Sequence, residues 1–578
     1  MPRASAVRGD GAERSAEAAS RHSSTGADRR FAAVSFGSTL LILVAGAALA
    51  ASLAWPFRFG PAHGSALGWL QLLALAVLAW QLQALQQRRP GDWRRALWRG
   101  WLFAFAWLAG TFWWMFISMY VYGGLPAWMA ALAVAALAGL LALYYAIACA
   151  AFVVLAPAGA FGAIGSAAVF ASAWTLAELA RARWFTGFPW GAIGYAQVDG
   201  LAVFAGSIGV YGVGWIAAFL PALFVALLRG WRSARDSGRP GRQRLPHLSR
   251  LPRVPLGCIA LLAAAALLAA LAVPTWSRST GNLAVTLLQG NIPQEEKFQP
   301  GTGIATALRW YGDELAAART PLVVAPETAI PLLPQQLPPA YWNALERRFG
   351  SAGGAQAALI GIPLGNMTQG YTNSALGLAP GRSPYEYDKH HLVPFGEFIP
   401  PLFRWFTRMM DIPLGDFDRG ALDQPSFDWA GQRLAPNICY EDLFGAELAA
   451  RFADAGTAPT VFVNLSNIGW FGDTVAIDQH LQISRMRALE FERPVIRATN
   501  TGATAIIDWR GRVVRELPRV TRAVLVGTVE GRSGLTPYAW WVSRFGLWPL
   551  WGFGGLALLI ALLVRRGRSD RQGSQQGP

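Results

Sequence analysis

Between Arg99 and Glu178 the chain carries no charged residue. A run of that length cannot be spread over the surface of a water-soluble domain, so it has to sit among other apolar groups or in lipid. Apolar runs recur at about 33–54, 66–86, 101–121, 128–155, 159–181, 201–228, 256–275 and 546–564. Each approaches or exceeds the roughly 20 residues a helix needs to cross a hydrocarbon core. The fourth is long enough to tilt or to project beyond it. The sequence therefore predicts eight transmembrane helices. The overall hydrophobic content of 53% and the 26 tryptophans fit a membrane protein with interfacial aromatic belts.

The formal charge is +16, from 50 Lys+Arg against 34 Asp+Glu. Such an excess marks a nucleic-acid surface when it forms a patch and membrane topology when it lies in short loops. Here it lies in loops, so no nucleic-acid partner is expected. Arg29 and Arg30 precede the first span, and Arg88, Arg89, Arg94, Arg95 and Arg99 sit between the second and third. Eight arginines follow the sixth, and Arg565, Arg566, Arg568 and Arg571 follow the last. Counted through the spans, these clusters share one side, the cytoplasmic one; Arg58, Arg181 and Arg183 fall on the other. The expected organisation is a disordered cytoplasmic tail at 1–30, seven helices within 31–275, an extracytoplasmic domain at 276–543, the eighth helix within 544–565 and a cytoplasmic tail at 566–578. The chain would then be a multi-pass protein of a bacterial inner membrane with its large domain on the periplasmic side. Loop 181–200, rich in Trp and Phe, is expected at the interface on that same side.

Within 276–543 the period changes. Short apolar runs at 283–288, 321–325, 357–361, 460–464 and 504–507 read as buried strands. Helix-like stretches at 305–318, 341–348, 447–454 and 477–492 alternate with them, which indicates an α/β domain. Three of its residues suggest chemistry. Cys439 lies between a strand-like run, 433–436, and a helix-like one, 443–454. At such a turn, helix N–H groups would favour the thiolate, the nucleophilic form. Cys149 and Cys258 lie in apolar runs, so Cys439 has no evident disulfide partner. Glu327 follows the run 322–325, where poor solvation should raise its pKa and suit it to act as a base. Lys389 could stabilise an oxyanion, or simply pair with Asp388 at the surface. No HExxH, Cys/His ligand spacing or phosphate-loop pattern is present, so neither a metal nor a cofactor is expected.

Glu, Lys and Cys in that order, on alternating strands and helices, resemble the nitrilase (carbon–nitrogen hydrolase) superfamily. The stretches Gln289-Gly290-Asn291-Ile292-Pro293-Gln294, Pro326-Glu327-Thr328-Ala329-Ile330-Pro331, 391–400, Ile438-Cys439-Tyr440-Glu441 and Met486-Arg487-Ala488-Leu489-Glu490 resemble the apolipoprotein N-acyltransferase family over roughly 33–565. The resemblance implies a nitrilase-like αββα sandwich between the last two of eight spans. It implies Glu327 as general base, Lys389 as oxyanion stabiliser and Cys439 as acyl-carrying nucleophile, with Glu397 supporting the Lys and Glu. Asn373, Tyr440, Glu441 and Glu490 would line or brace the site. Trp276, Trp470 and Phe471 would lie at a lipid entrance; Asn467-Ile468-Gly469-Trp470 departs from the family's usual Asn-Asp-Ala-Trp. The implied partners are a phospholipid acyl donor, a diacylated apolipoprotein acceptor and the bilayer. The competing classes are a membrane-tethered amidase with the same three residues and a scaffold with an inactive nitrilase-like domain.

Overall fold

The computed structural model describes residues 37–156, 162–236, 274–366, 368, 370–399 and 417–574. The apolar runs form the helices Gly37–Leu53, Gly68–Arg88, Trp93–Phe112, Ala127–Leu155, Gly162–Arg183, Ala205–Asp236 and Trp548–Ser574. The third run departs from a straight span. It bends by 59° between Trp93–Phe112 and Met115–Tyr122. The bend brings the buried Trp114 under the α/β domain, where its indole donates to Gln479 at 3.1 Å. By length and composition, five of these helices could cross a membrane, and six if the bent pair is one span; Gly37–Leu53 is shorter. The seventh expected span, 256–275, lies largely outside the described residues, as does the expected tail at 1–30; of the expected tail at 566–578, residues 566–574 continue the last helix.

The α/β domain is a sandwich of two six-stranded sheets. The first contains β1 (Ser277–Gln289), β2 (Leu322–Ala325), β3 (Ala357–Asn366), β4 (Gly370–Leu378), β5 (Tyr385–Asp388) and β12 (Ala523–Gly534), in the order β12-β1-β2-β3-β4-β5. The second contains β6 (Phe427–Trp429), β7 (Gln432–Ile438), β8 (Val461–Ser466), β9 (Val495–Thr499), β10 (Ala505–Ile507) and β11 (Val513–Glu516), in the order β11-β10-β9-β8-β7-β6. Each sheet has three parallel central strands, β1-β2-β3 and β7-β8-β9, with antiparallel strands outside them.

The two-residue period of a strand assigns the layers. In β2, Leu322 and Val324 face the second sheet, while Val323 and Ala325 face the outer helices. In β8, Val461, Val463 and Leu465 face inward, and Phe462 faces away. Helices Ala305–Ala317 and Pro339–Leu345 cover the first sheet. Helix Val475–Phe491 covers the second, completing an αββα arrangement, and nearly all of it is buried. Its outer side meets the apolar bundle: Ala476, Ile477, Ile483 and Met486 share one core with Leu53, Trp114 and Trp190.

Loop 181–200 differs from its expected interfacial position. Trp184 and Phe185 are exposed, but Trp190 is buried and Phe188 stacks on Tyr440 with ring centres 6.3 Å apart. Arg181 fixes this loop by donating to the carbonyls of Phe188 and Trp190 at 2.8 and 2.7 Å. A loop with its main chain satisfied in this way can be buried between two bodies.

Candidate active site

Glu327, Lys389 and Cys439 lie at the C-terminal ends of β2, β5 and β7. In open parallel sheets those ends are where ligands bind. The three residues converge, although 62 and 50 positions separate Lys389 from Glu327 and Cys439 in the sequence. Lys389 is 1% exposed, and its Nζ lies 3.3 Å from Glu327 Oε1 and 2.8 Å from Glu397 Oε1. The surface pairing with Asp388 is not formed; Asp388 instead accepts from Thr372 and Ser374. Asn373 bridges the same two carboxylates, donating to Glu327 at 2.7 Å and to Glu397 at 2.8 Å. The second oxygen of Glu327 accepts the main-chain N–H of Asn467 at 2.9 Å. The second oxygen of Glu397 accepts that of Val393 at 2.8 Å.

These contacts overturn two expectations about protonation. Burial pushes Glu327 upward, but Lys389, the Asn373 amide and Lys297 outweigh it, so its carboxyl is held below the usual range rather than above it. Burial also lowers Lys389, but Glu327 and Glu397 more than reverse that and keep it an ammonium. Cys439 does not begin a long helix. It opens a 3₁₀ turn, Cys439–Leu443, followed only by the short helix Gly445–Leu448. Burial and then Glu327 push its thiol up to about 12, with Lys389 opposing. Burial and neighbouring charge together thus favour the carboxylate at Glu327, the ammonium at Lys389 and the thiol at Cys439.

The backbone at Cys439 has φ +52°, a left-handed conformation unusual for a non-glycine residue and the kind of strain found at functional turns. Its carbonyl is held by Asn464 Nδ2 at 3.3 Å and His480 Nε2 at 3.1 Å. Arg497 donates to the other nitrogen of His480, Nδ1, at 2.9 Å, so the proton of the neutral ring belongs on Nε2. Glu441 ties the turn to the lysine loop: it accepts from Ile438 N, Tyr387 Oη and the main-chain N–H groups of His390 and His391. Tyr440 reaches the membrane side, its hydroxyl donating to the Gly187 carbonyl at 3.1 Å.

The remaining candidates divide. Phe471 packs on Trp114 with ring centres 4.2 Å apart, and Trp470 meets Tyr122 edge-on at 5.6 Å. Trp276 stands apart from them, with its ring over Gly206 and its main-chain N–H donating to Glu492 Oε1 at 3.3 Å. Glu490 contacts none of the three central residues. It accepts the N–H of Val210 at 2.6 Å, just after the helix break at Gly209, and pairs with Arg487 at 2.9 Å. It braces the join between the bundle and the sandwich. Among the described residues no three His, Cys, Asp or Glu side chains form a metal-sized cluster.

Sequence reasoning missed Lys297 and the Asn467 N–H. Lys297 donates to the Glu327 carbonyl at 3.1 Å. One signal was available for it: lysine occurs only at 297 and 389 in the whole chain. A main-chain N–H leaves no such trace.

Comparison with known proteins bears on both parts of the chain. Residues 36–223 match the apolipoprotein N-acyltransferase N-terminal domain, and residues 284–538 match the carbon–nitrogen hydrolase family. An apolipoprotein N-acyltransferase of Verminephrobacter eiseniae is 57% identical, with 87% of this chain and 92% of that protein covered. One from Ralstonia nicotianae is 45% identical over 86% and 90% of the two chains, and one from Bordetella bronchiseptica is 43% identical over 91% and 97%.

Proposed function

Because the chain belongs to the apolipoprotein N-acyltransferase family, we propose that Glu327, Lys389 and Cys439 carry its lipoprotein N-acylation. The protein is an acyltransferase of lipoprotein maturation, and the favoured donor is a membrane phospholipid. Cys439 Sγ attacks the ester carbonyl carbon while Glu327 takes the thiol proton. The ammonium of Lys389, with a main-chain N–H near Tyr440, holds the oxyanion. Glu327 returns the proton to the departing alkoxide, and a lysophospholipid leaves behind a thioester. The α-amine of a diacylglyceryl-modified N-terminal cysteine then attacks the thioester, and Glu327 passes the amine's proton to the leaving sulfur. The product is a triacylated lipoprotein.

The observation that carries this reading is the contact between the thiol turn and the membrane part. Tyr440, next to Cys439, is bonded to Gly187 and stacked on Phe188. A soluble amidase has no need of such a floor, whereas a thiol that reacts with lipid esters must open toward the bilayer. Exclusion of water there also protects the thioester from hydrolysis. We place the sandwich on the periplasmic face of the inner membrane, since the arginine-rich loops belong in the cytoplasm.

The test is to incubate the detergent-solubilised protein with phospholipid alone. Lysophospholipid should be released to about one equivalent per enzyme and then stop, as expected of a covalent intermediate. Cys439 should carry one acyl group, seen by mass spectrometry and removed by neutral hydroxylamine. A diacylated lipopeptide with a free α-amine should discharge it. Continuous release without acceptor would identify a lipid hydrolase, and ammonia release from simple amides without an acyl adduct would favour the amidase.

A further inference from the structure

Of the 50 Lys+Arg in this chain, only Lys297 and Lys389 are lysines. Every other cationic side chain of that pair is an arginine, which keeps its proton in proteins. Both lysines are 1% exposed, and both contact Glu327. Lys389 is committed to two carboxylates. Lys297 has no ion-pair partner among the described residues; its Nζ donates to the main-chain carbonyl of Glu327 at 3.1 Å. The ionisable groups that act on it are Glu327 and the Cys439 thiol, and Gln294, three residues before it, accepts from Asn467 Nδ2 at 2.8 Å. Lys389 shares the Glu327 carboxylate.

The transfer reaction leaves a proton unaccounted for. An N-terminal amine has a pKa of about 7.7–8.0, so near neutral pH it arrives largely as an ammonium. The product is a neutral amide, while Glu327, Lys389 and Cys439 all end as they began. One proton per turnover must therefore leave the nitrogen, to solvent or to a nearby base, before the lone pair can attack. We propose that Lys297, as the free amine, accepts this proton from the incoming ammonium. It rests on the acyl-transfer reading above. The N–H bond of the ammonium breaks and a bond to Lys297 Nζ forms. The freed lone pair forms the C–N bond, the C–S bond breaks, and a second amine proton reaches the sulfur through Glu327. Lys297 then yields its proton to water between turnovers. Burial pushes its ammonium down to about 8, against the opposing charges of Glu327 and Cys439. That brings the group close to neutral pH, the range in which a general base works best.

The test compares two acceptors in the native protein and in Lys297→Met. One is a diacylated lipopeptide ending in an amine; the other ends in an aminooxy group, which is neutral at pH 7 and has no proton to shed first. In Lys297→Met the lysophospholipid burst and transfer to the aminooxy peptide read whatever the change does through Glu327, and transfer to the amine peptide is compared with them. Its transfer to the amine peptide, relative to the aminooxy peptide, should fall about tenfold at pH 7 and recover as pH rises above the amine's own pKa. Equal losses for both acceptors, or no loss for either, would overturn the proposal. If Lys297→Met does not fold, Lys297→Arg reads the same ratio, because arginine keeps the charge but cannot accept the proton. A native protein that acylated neither peptide would overturn the transfer reading instead.

Discussion

The indole of Trp190 donates to Gln479 Oε1 at 2.7 Å, across the junction between the membrane loop and the sandwich. Trp114, from the bend in the third apolar run, donates to the same oxygen at 3.1 Å. One amide thus collects two buried indoles from separate membrane segments and holds them beneath the helix that backs the second sheet.

Gln479→Leu should therefore loosen this junction. It leaves two buried N–H groups without an acceptor, at about 1–3 kcal/mol each. The expected outcome is a lower unfolding midpoint in detergent, with Gln479→Glu, which keeps an acceptor, closer to native. An unchanged midpoint in Gln479→Leu would show that the two indoles find other partners.

Lys389→Met should fold and insert but acylate slowly. An ammonium in a dry site contributes strongly to an oxyanion, and loss of one such donor costs about 10²–10³ in rate. The variant also leaves Glu327 and Glu397 sharing Asn373 with no cation between them. Single-turnover acylation of Cys439 measures the loss; near-native turnover would exclude the oxyanion role.

Glu327→Gln separates thiol ionisation from catalysis. The Glu327 charge is the second cause, after burial, that raises the Cys439 thiol, and Lys389 opposes it. With that charge gone, the midpoint for alkylation of Cys439 by a small reagent should move to lower pH while acyl transfer is lost. A midpoint that stays or rises would mean that Glu327 does not face the thiol.

Glu490 should give a pH-dependent stability. Burial raises it from 4.5 to about 7, against the pull of Arg487. Its folded pKa is above its unfolded one, so the folded state binds the extra proton. Stability from this group is present below about 4.5 and declines as pH rises through 7. Unfolding midpoints at pH 5 and pH 8 should differ less in Glu490→Gln than in the native protein.

Reporters inserted at Gly91 and Gly353 should lie in opposite compartments. Both glycines are in turns with open space around the Cα, so an insertion meets no neighbouring side chain. The proposed topology puts the arginines beside Gly91 in the cytoplasm, as the positive-inside rule expects. The same compartment for both would refute the topology.

Much of this was legible because buried central strands leave a continuous apolar signature. Leu322 to Ala325 is such a run, and it delivers Glu327 to the site. β4 is not visible in this way: Gly370 to Leu378 is mostly small and polar, and it is held by its pairing with β3 rather than by its own propensity. The position of Cys439 at a turn was legible, but its protonation was not. The sign depended on Glu327 and on burial, both set by segments distant in sequence. Glu327 misled in the opposite direction, since the cations that hold it down come from 297 and 389. The role of Gln479 was hidden because it depends on a bend at residues 113–114 that composition does not announce.

The pairing of Ser277 with Gly534 joins the first strand of the sandwich to the last. The first sheet therefore cannot close until the ribosome has delivered nearly the whole domain. Until then β1, with its buried Leu283, Val285 and Leu287, waits without its antiparallel neighbour. A fold whose ends must meet has a high contact order and closes slowly. The interval between synthesis of residue 277 and synthesis of residue 534 is thus the time in which this chain is most exposed to proteases and to aggregation.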